Sequence, residues 1–312
     1  HMGPHSASMT TRTPLFERLT PWIFVALWST GFVVARYSTN NAGPLSFLTV
    51  RMLCAAVLLY VIAKIVKAPK LARGSWSTSA IVGTCMHAIY LGGVFYAIKQ
   101  GLPSGLSALI AGLHPVVTSV AGRVLLKEKL RRSQWVGVLL GITGVLVVVV
   151  DKVRDGLGDV TRPALIAMVI SVIGMSTGTL VQRARGKDMP LVTGTAAQYV
   201  SAGAVLLVAS SLFEKWEFHV NTELMLALLW SVLILSIAAV MLMMLLISRH
   251  SAARVSSLFF LTPALSAIES AILFGERLSP LALVALVVAL TGVWLTMRNP
   301  VVAPSPESLL AD

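Results

Sequence analysis

Two prolines stand inside apolar runs of this chain, Pro115 and Pro263. Each lacks a backbone donor and so frees the carbonyl four residues back, Ala111 in one case and Phe259 in the other. In hydrocarbon a freed carbonyl has to be satisfied by protein or by cavity water, so a proline-broken apolar helix reads as a hinge and as a wet surface at once. A few polar side chains in apolar surroundings can hold a small solute beside such breaks. His87 and Tyr90 are three residues apart and share a helix face, offering a polar tip and a ring for stacking. Trp28 with Ser29 repeats that combination. His114 precedes the first proline and is matched by Thr262 before the second, and Ser257 in the run leading to Pro263 joins the substrate-binding set. Glu269 is an acid within an apolar run, and intramembrane ionisable groups are functional candidates by default. Glu269 and His87 are therefore candidates for proton coupling, and a Glu269–Arg51 pair is one way to satisfy both charges.

Enzyme chemistry finds little support. There is no HExxH, no phosphate-binding glycine loop, no GxSxG and no pair of mid-membrane aspartates. Cys54 and Cys85 lie in apolar runs without metal spacing. No catalytic residue, metal or cofactor is expected.

The elements that must position these side chains follow from composition. Of 312 residues 56% are hydrophobic and 12% charged, and the mean hydropathy is +0.83. A soluble domain carries roughly 25% charged residues. The apolar runs are too long for strands, so the expectation is an all-α integral membrane protein. The net charge of +12 lies in short inter-helix loops, where it orients insertion, and does not point to nucleic acid. Ten spans are read: Pro21–Tyr37, Leu45–Val66, Trp76–Ile98, Ser104–Leu126, Ser133–Val150, Pro163–Gln182, Leu191–Phe213, Glu223–Ser248, Ala253–Phe274 and Pro280–Met297. Residues 1–19 read as a tag remnant and a cytoplasmic N-terminus, and 299–312 as a cytoplasmic tail.

The run Leu113-His114-Pro115, continuing to Glu128-Lys129-Leu130 and Thr143-Gly144-Val145, returns 148 residues later as Leu261-Thr262-Pro263, Glu276-Arg277-Leu278 and Thr291-Gly292-Val293. One unit is present twice. The first copy covers 20–151 and the second 163–298, joined by 152–162. The loops after spans two, four, six and eight are positive, whereas those after one, five, seven and nine are neutral or acidic and the one after three holds only Lys99. This places both termini in the cytoplasm. Five spans per copy is an odd number, so the second copy must insert upside down. Inverted repeats place a solute site near the midplane, between the copies. Glu128 and Glu276 read as helix caps or as partners of local Arg and Lys.

Ser256 through Pro263, followed by Phe274-Gly275-Glu276-Arg277-Leu278 and Leu290-Thr291-Gly292-Val293, resembles the closing part of an EamA domain, as Ser107–Val145 does less closely. The chain thus resembles the EamA-type drug/metabolite transporters over essentially its whole length, and looks most like the YddG-type bacterial exporters of aromatic amino acids and methyl viologen. Lys127 stands where that signature has glycine. The resemblance implies a bacterial inner-membrane exporter with a central cavity lined by spans one, three, four, six, eight and nine. The expected cargo is an aromatic or apolar amino acid or a similar small amphiphile, carried by alternating access. The rival cargo is a drug-like organic cation, for which Glu269 is the natural acid. The rival of another class is an intramembrane enzyme or lipid-interacting protein. The expected partners are the solute and the bilayer, with the chain acting as a monomer or homodimer.

Overall fold

With no water in the bilayer core, backbone groups must bond within their own segment, and a chain this apolar therefore folds as helices. The computed structural model describes residues 15–125, 130–154, 161–249, 259, 261–276 and 279–297. Its helices are α1 (Leu15–Asn41), α2 (Pro44–Ile65), α3 (Ser75–Gly83, Thr84–Ile89 and Tyr90–Lys99), α4 (Ser104–Ala111 and His114–Leu125) and α5 (Arg132–Arg154). The second half gives α6 (Arg162–Arg185), α7 (Leu191–Phe213), α8 (Thr222–Leu229, Trp230–Ala238 and Ala239–Arg249), α9 (Leu261–Phe274) and α10 (Pro280–Met297). Nine of these are long and apolar enough to cross a membrane, and α9 is a shorter apolar helix. The expected ninth span begins earlier, in residues outside those described. No strand occurs among the described residues; Ala42 and Phe218 form an isolated bridge.

Local chemistry sets the ends. Pro44 opens α2, where a missing N–H costs nothing. Thr161 and Asn221 cap α6 and α8 by accepting from the N–H groups of Ala164 (3.3 Å) and Leu224 (2.8 Å). Gly275, at φ +66°, closes α9 in the left-handed conformation that glycine adopts freely.

The two copies are interleaved, and corresponding helices run antiparallel. From Pro44 onward α2 meets α7 in reverse order: Leu45 with Glu214, Thr49 with Ser210, Leu53 with Gly203. In the same way α4 and α9 meet at Ser104–Ser270, Gly105–Ala267 and Gly112–Pro263. Helices α5 and α10 join at both ends, Gln134 donating to the Thr296 carbonyl (3.0 Å) and Ser279 to Asp151. Further contacts come in exchanged pairs: α3 with α6 and α8 with α1, α3 with α7 and α8 with α2, and α6 with α4 and α1 with α9. Such exchanged contacts, with matched helices opposed, are the geometry of an inverted repeat about an axis in the membrane plane.

Small residues let the copies approach. Gly137, Gly141 and Gly144 of α5 face Gly292, Ala289 and Ala285 of α10 at backbone distance. Gly174 and Gly178 of α6 receive Ile89 and Met86 of α3. Two glutamates tie the copies at their ends. Glu214, after α7, accepts from the N–H groups of Leu45 and Ser46 (both 2.8 Å), at the start of α2. Glu276, after α9, accepts from the N–H groups of Ser104 and Gly105 (both 3.0 Å) and the Ser104 hydroxyl. Each carboxylate sits on the positive end of a helix of the other repeat. Glu276 is thus a cap, of α4 in the other repeat, and its partners among the described residues are backbone N–H groups and a serine hydroxyl.

A Cβ on Gly292 would lie 2.2 Å from the Gly141 nitrogen, with no flexible atom to yield. Gly292→Ala should therefore force α5 and α10 apart at a cost of about 1–3 kcal/mol, the usual penalty of overpacking. Thermal unfolding of the purified chain followed by tryptophan fluorescence should show a lowered midpoint. Gly74→Ala, which meets nothing within 4 Å, should leave it unchanged.

Candidate functional site

The prolines do what a missing N–H requires. Helix α4 breaks between Ala111 and His114, and the freed Ala111 carbonyl is taken up by the His114 ring at 3.2 Å. A carbonyl only accepts, so His114 Nδ1 carries the hydrogen. The His114 carbonyl then accepts from Thr118 Oγ1 (2.7 Å) and from Ser176 Oγ of α6 (3.1 Å), which anchors the break to the other copy. At the second proline, the Phe259 carbonyl accepts from the Thr262 N–H at 3.3 Å. The two breaks face each other: a Cβ on Gly112 would stand 2.7 Å from Pro263. Around them lies a small apolar cleft of about 20 Å³, lined among others by Leu113, His114, Pro115, Phe259, Pro263 and Leu290. The cleft lies where α4 and α5 of one copy meet α9 and α10 of the other.

A second group adjoins it through Phe259. The rings of Phe24, Trp28 and Phe259 contact one another with centroids 5.4–5.5 Å apart, two of the contacts edge-on. Next to Trp28 in the chain, Ser29 donates to Glu269 Oε1 at 2.6 Å, and Ser266 donates to the Ser29 carbonyl at 3.0 Å. Thr262, Ser266 and Glu269 share one face of α9 by their spacing. Thr262 Oγ1 and Glu269 Oε2 are the buried side-chain polar atoms left without a partner among the described residues. Burying such atoms unpaired is costly, and a site that binds a proton or solute is where the cost is tolerated.

The third group lies across α2, α3, α6, α7 and α8. His87 belongs to the π-helical turn Thr84–Ile89 and turns toward α7, with Nε2 3.4 Å from Gln198 Oε1 and the ring edge-on to Tyr199 at 4.8 Å. Gln198 donates on to Gln182 (3.1 Å). Arg51 donates from Nε to Ser236 Oγ (3.3 Å), and the Tyr199 hydroxyl to the Ser236 carbonyl (3.3 Å). The Glu269–Arg51 pair, one of the ways to satisfy both charges, is not formed: Glu269 is held by Ser29 on the α1–α9 seam, whereas Arg51 points from α2 to α8.

The expected residues therefore fall in three places. Pro115, Pro263 and His114 line the cleft. Trp28, Ser29 and Glu269 sit beside it, bridged by Phe259. His87 lies in the polar cluster, and Tyr90 packs against the main core without a hydrogen bond to its hydroxyl among the described residues. Ser257 lies outside the described residues. Sequence reading missed Tyr199, Gln198, Gln182 and Ser236, whose only signal is polarity inside an apolar run.

The sequence profile of the EamA-like transporter family matches residues 21–150 and 162–298. The "Uncharacterized inner membrane transporter YedA" of Escherichia coli K12 is 28% identical over 302 residues, covering 93% of this chain and 95% of that protein. A "Probable amino-acid metabolite efflux pump" of Salmonella typhimurium is 22% identical over 284 residues, covering 88% of this chain and 92% of that one. A solved crystal structure superposes with a TM-score of 0.64 over 89% of this chain and 94% of its own, at 18% identity.

If His114 exists to satisfy the proline break, its loss should matter only while the proline is there. His114→Ala should lower stability by about 1–3 kcal/mol, the cost of an orphaned buried acceptor. In a Pro115→Ala background, where a new N–H can reach Ala111, the same substitution should cost much less. A double-mutant cycle of unfolding midpoints checks this; equal costs in both backgrounds would give His114 another purpose.

Proposed function

We propose that this chain, which belongs to the EamA-like transporter family, is a secondary exporter of an amino acid with an aromatic or other apolar side chain, working by alternating access in the inner membrane. The observation that carries this is the pair of opposed proline breaks, Pro115 and Pro263, meeting at one cleft between inverted copies. A helix broken there bends without losing hydrogen bonds, because the freed carbonyls already have other donors. Closing one end of the cleft while opening the other then needs only a rocking of one copy against the other. Both termini lie in the cytoplasm in this reading, in line with the loop charges. Relatives named as an inner membrane transporter and as an amino-acid metabolite efflux pump support the location and the cargo class.

In this reading Trp28 and Phe259 form the apolar wall that meets the solute ring, with Tyr90, His114 and Ser257 as further contacts. Ser29 and His87 offer the polar end. Glu269 is the coupling group. The single hydroxyl hydrogen of Ser29 has two acceptors in reach, Glu269 Oε1 at 2.6 Å and the Ala26 carbonyl at 3.0 Å. A proton on Glu269 Oε1 would let it donate to Ser29 and Ser29 to Ala26, so that both links are made; removing the proton breaks one of them. A carboxylate beside an apolar wall also favours the second cargo, an organic cation such as methyl viologen.

Proteoliposomes holding the purified chain, loaded in turn with each of the twenty amino acids and with methyl viologen, should show flux of phenylalanine-like solutes that rises with an imposed proton gradient. Glu269→Gln should bring gradient-driven flux to background while leaving solute exchange without a gradient intact. Gradient-driven flux that survives in Glu269→Gln removes Glu269 from coupling, and flux confined to methyl viologen replaces the amino-acid cargo by the cation.

A further inference from the structure

Arg51 lies seven residues into α2, about 10 Å along the helix from its start at Pro44. Its side chain is 7% exposed. A guanidinium carries five donors, and among the described residues only Nε has a partner, the Ser236 hydroxyl. The electrostatic neighbour recorded for Arg51 is Tyr199, and no carboxylate stands opposite the charge among the described residues. The terminal nitrogens are not among the fully enclosed unpartnered polar atoms of the described residues, which are Thr262 Oγ1 and Glu269 Oε2. A buried guanidinium with no carboxylate opposite it among the described residues has the donors for one half of an ion pair.

The surroundings say which anion completes it. Tyr199 spends its hydroxyl hydrogen on the Ser236 carbonyl. Arg51 is the cation of this cluster among the described residues, and its planar fork suits a carboxylate, with one negative charge and bidentate geometry, better than a phosphate dianion. His87 is within electrostatic range of Arg51. Its Nε2 donates to Gln198 Oε1, whose own amide nitrogen is held by Gln182, so Nδ1 is left as an acceptor able to receive an ammonium hydrogen. The Tyr199 ring lies beside it. Both polar arms come from π-helical turns, His87 from Thr84–Ile89 and Ser236 from Trp230–Ala238. These turns occupy corresponding places in the two copies, and π turns gather at functional sites.

We infer that Arg51 is the carboxylate-binding residue of this protein, holding a zwitterionic or monoanionic solute between α2, α3, α7 and α8. This rests on the export reading only in making that solute the cargo. The full-length protein, purified in detergent, is titrated with phenylalanine, benzoate and phenylalaninamide while its thermal midpoint is read. Phenylalanine and benzoate should stabilise the wild type and phenylalaninamide should not. In Arg51→Gln both carboxylates should bind about tenfold to a hundredfold more weakly, the usual result of removing one partner of a charge-assisted hydrogen bond. Arg51→Lys, which keeps the charge without the fork, should fall between and serves where Arg51→Gln does not fold. Equal stabilisation by the amide, equal binding in the Arg51 variants, or no response of the wild type to either carboxylate overturns the assignment. Flux of methyl viologen without carboxylate binding leaves the exporter and removes this site. Carboxylate binding lost in Arg51→Gln, in a protein that moves no solute, keeps the site and removes the exporter.

Discussion

A peptide group in hydrocarbon has no water to fall back on, and most of this structure can be read as the working-out of that fact. It makes every span a helix, and it makes each departure from a regular helix conspicuous. Where Pro115 interrupts α4, the His114 ring supplies the donor that the backbone no longer can. Where α2 and α4 begin, with N–H groups that no preceding turn can serve, Glu214 and Glu276 arrive from the other repeat. The polar residues that composition suggested as solute contacts thus divide into those that repair the backbone and those that remain available.

Inversion explains how so few polar groups suffice. Because corresponding helices run antiparallel, the start of a helix in one copy lies beside the end of its mate in the other, and caps can be lent across the seam. The same opposition brings the two proline breaks together at Gly112 and Pro263 instead of leaving them at separate depths. It also sets the two π-helical turns of α3 and α8 in matched positions, one carrying His87 and the other Ser236. Close-packed seams, such as the glycine-lined contact of α5 with α10, stand beside seams built from breaks. This division is what a rocking mechanism asks of a helical protein.

Much of this was legible in the sequence, and the exceptions share a cause. The spans, the repeat and the prolines are local or periodic, so apolar length and a constant offset reveal them. The Ser29–Glu269 bond joins residues 240 apart, and neither residue announces the other. The pairing of Glu269 with Arg51 was plausible by charge and depth alone, yet α2 turns Arg51 toward α8 while α9 faces α1, a matter of helix rotation that periodicity in an all-round apolar helix does not encode. The π turns leave no compositional trace, because one extra residue per turn needs no particular side chain. Glu276 was recognisable as a cap from its place after Gly275, but which helix it serves depends on the inverted packing.

The borrowed caps also bear on how the protein is made. The ribosome delivers α2 and α4 long before the glutamates that close their leading ends, so during synthesis those N–H groups must rest on lipid headgroups or interfacial water. Only when α7 and then α9 have been threaded does the earlier half acquire its final partners. The caps of the N-terminal half are thus completed last, when its inverted counterpart arrives.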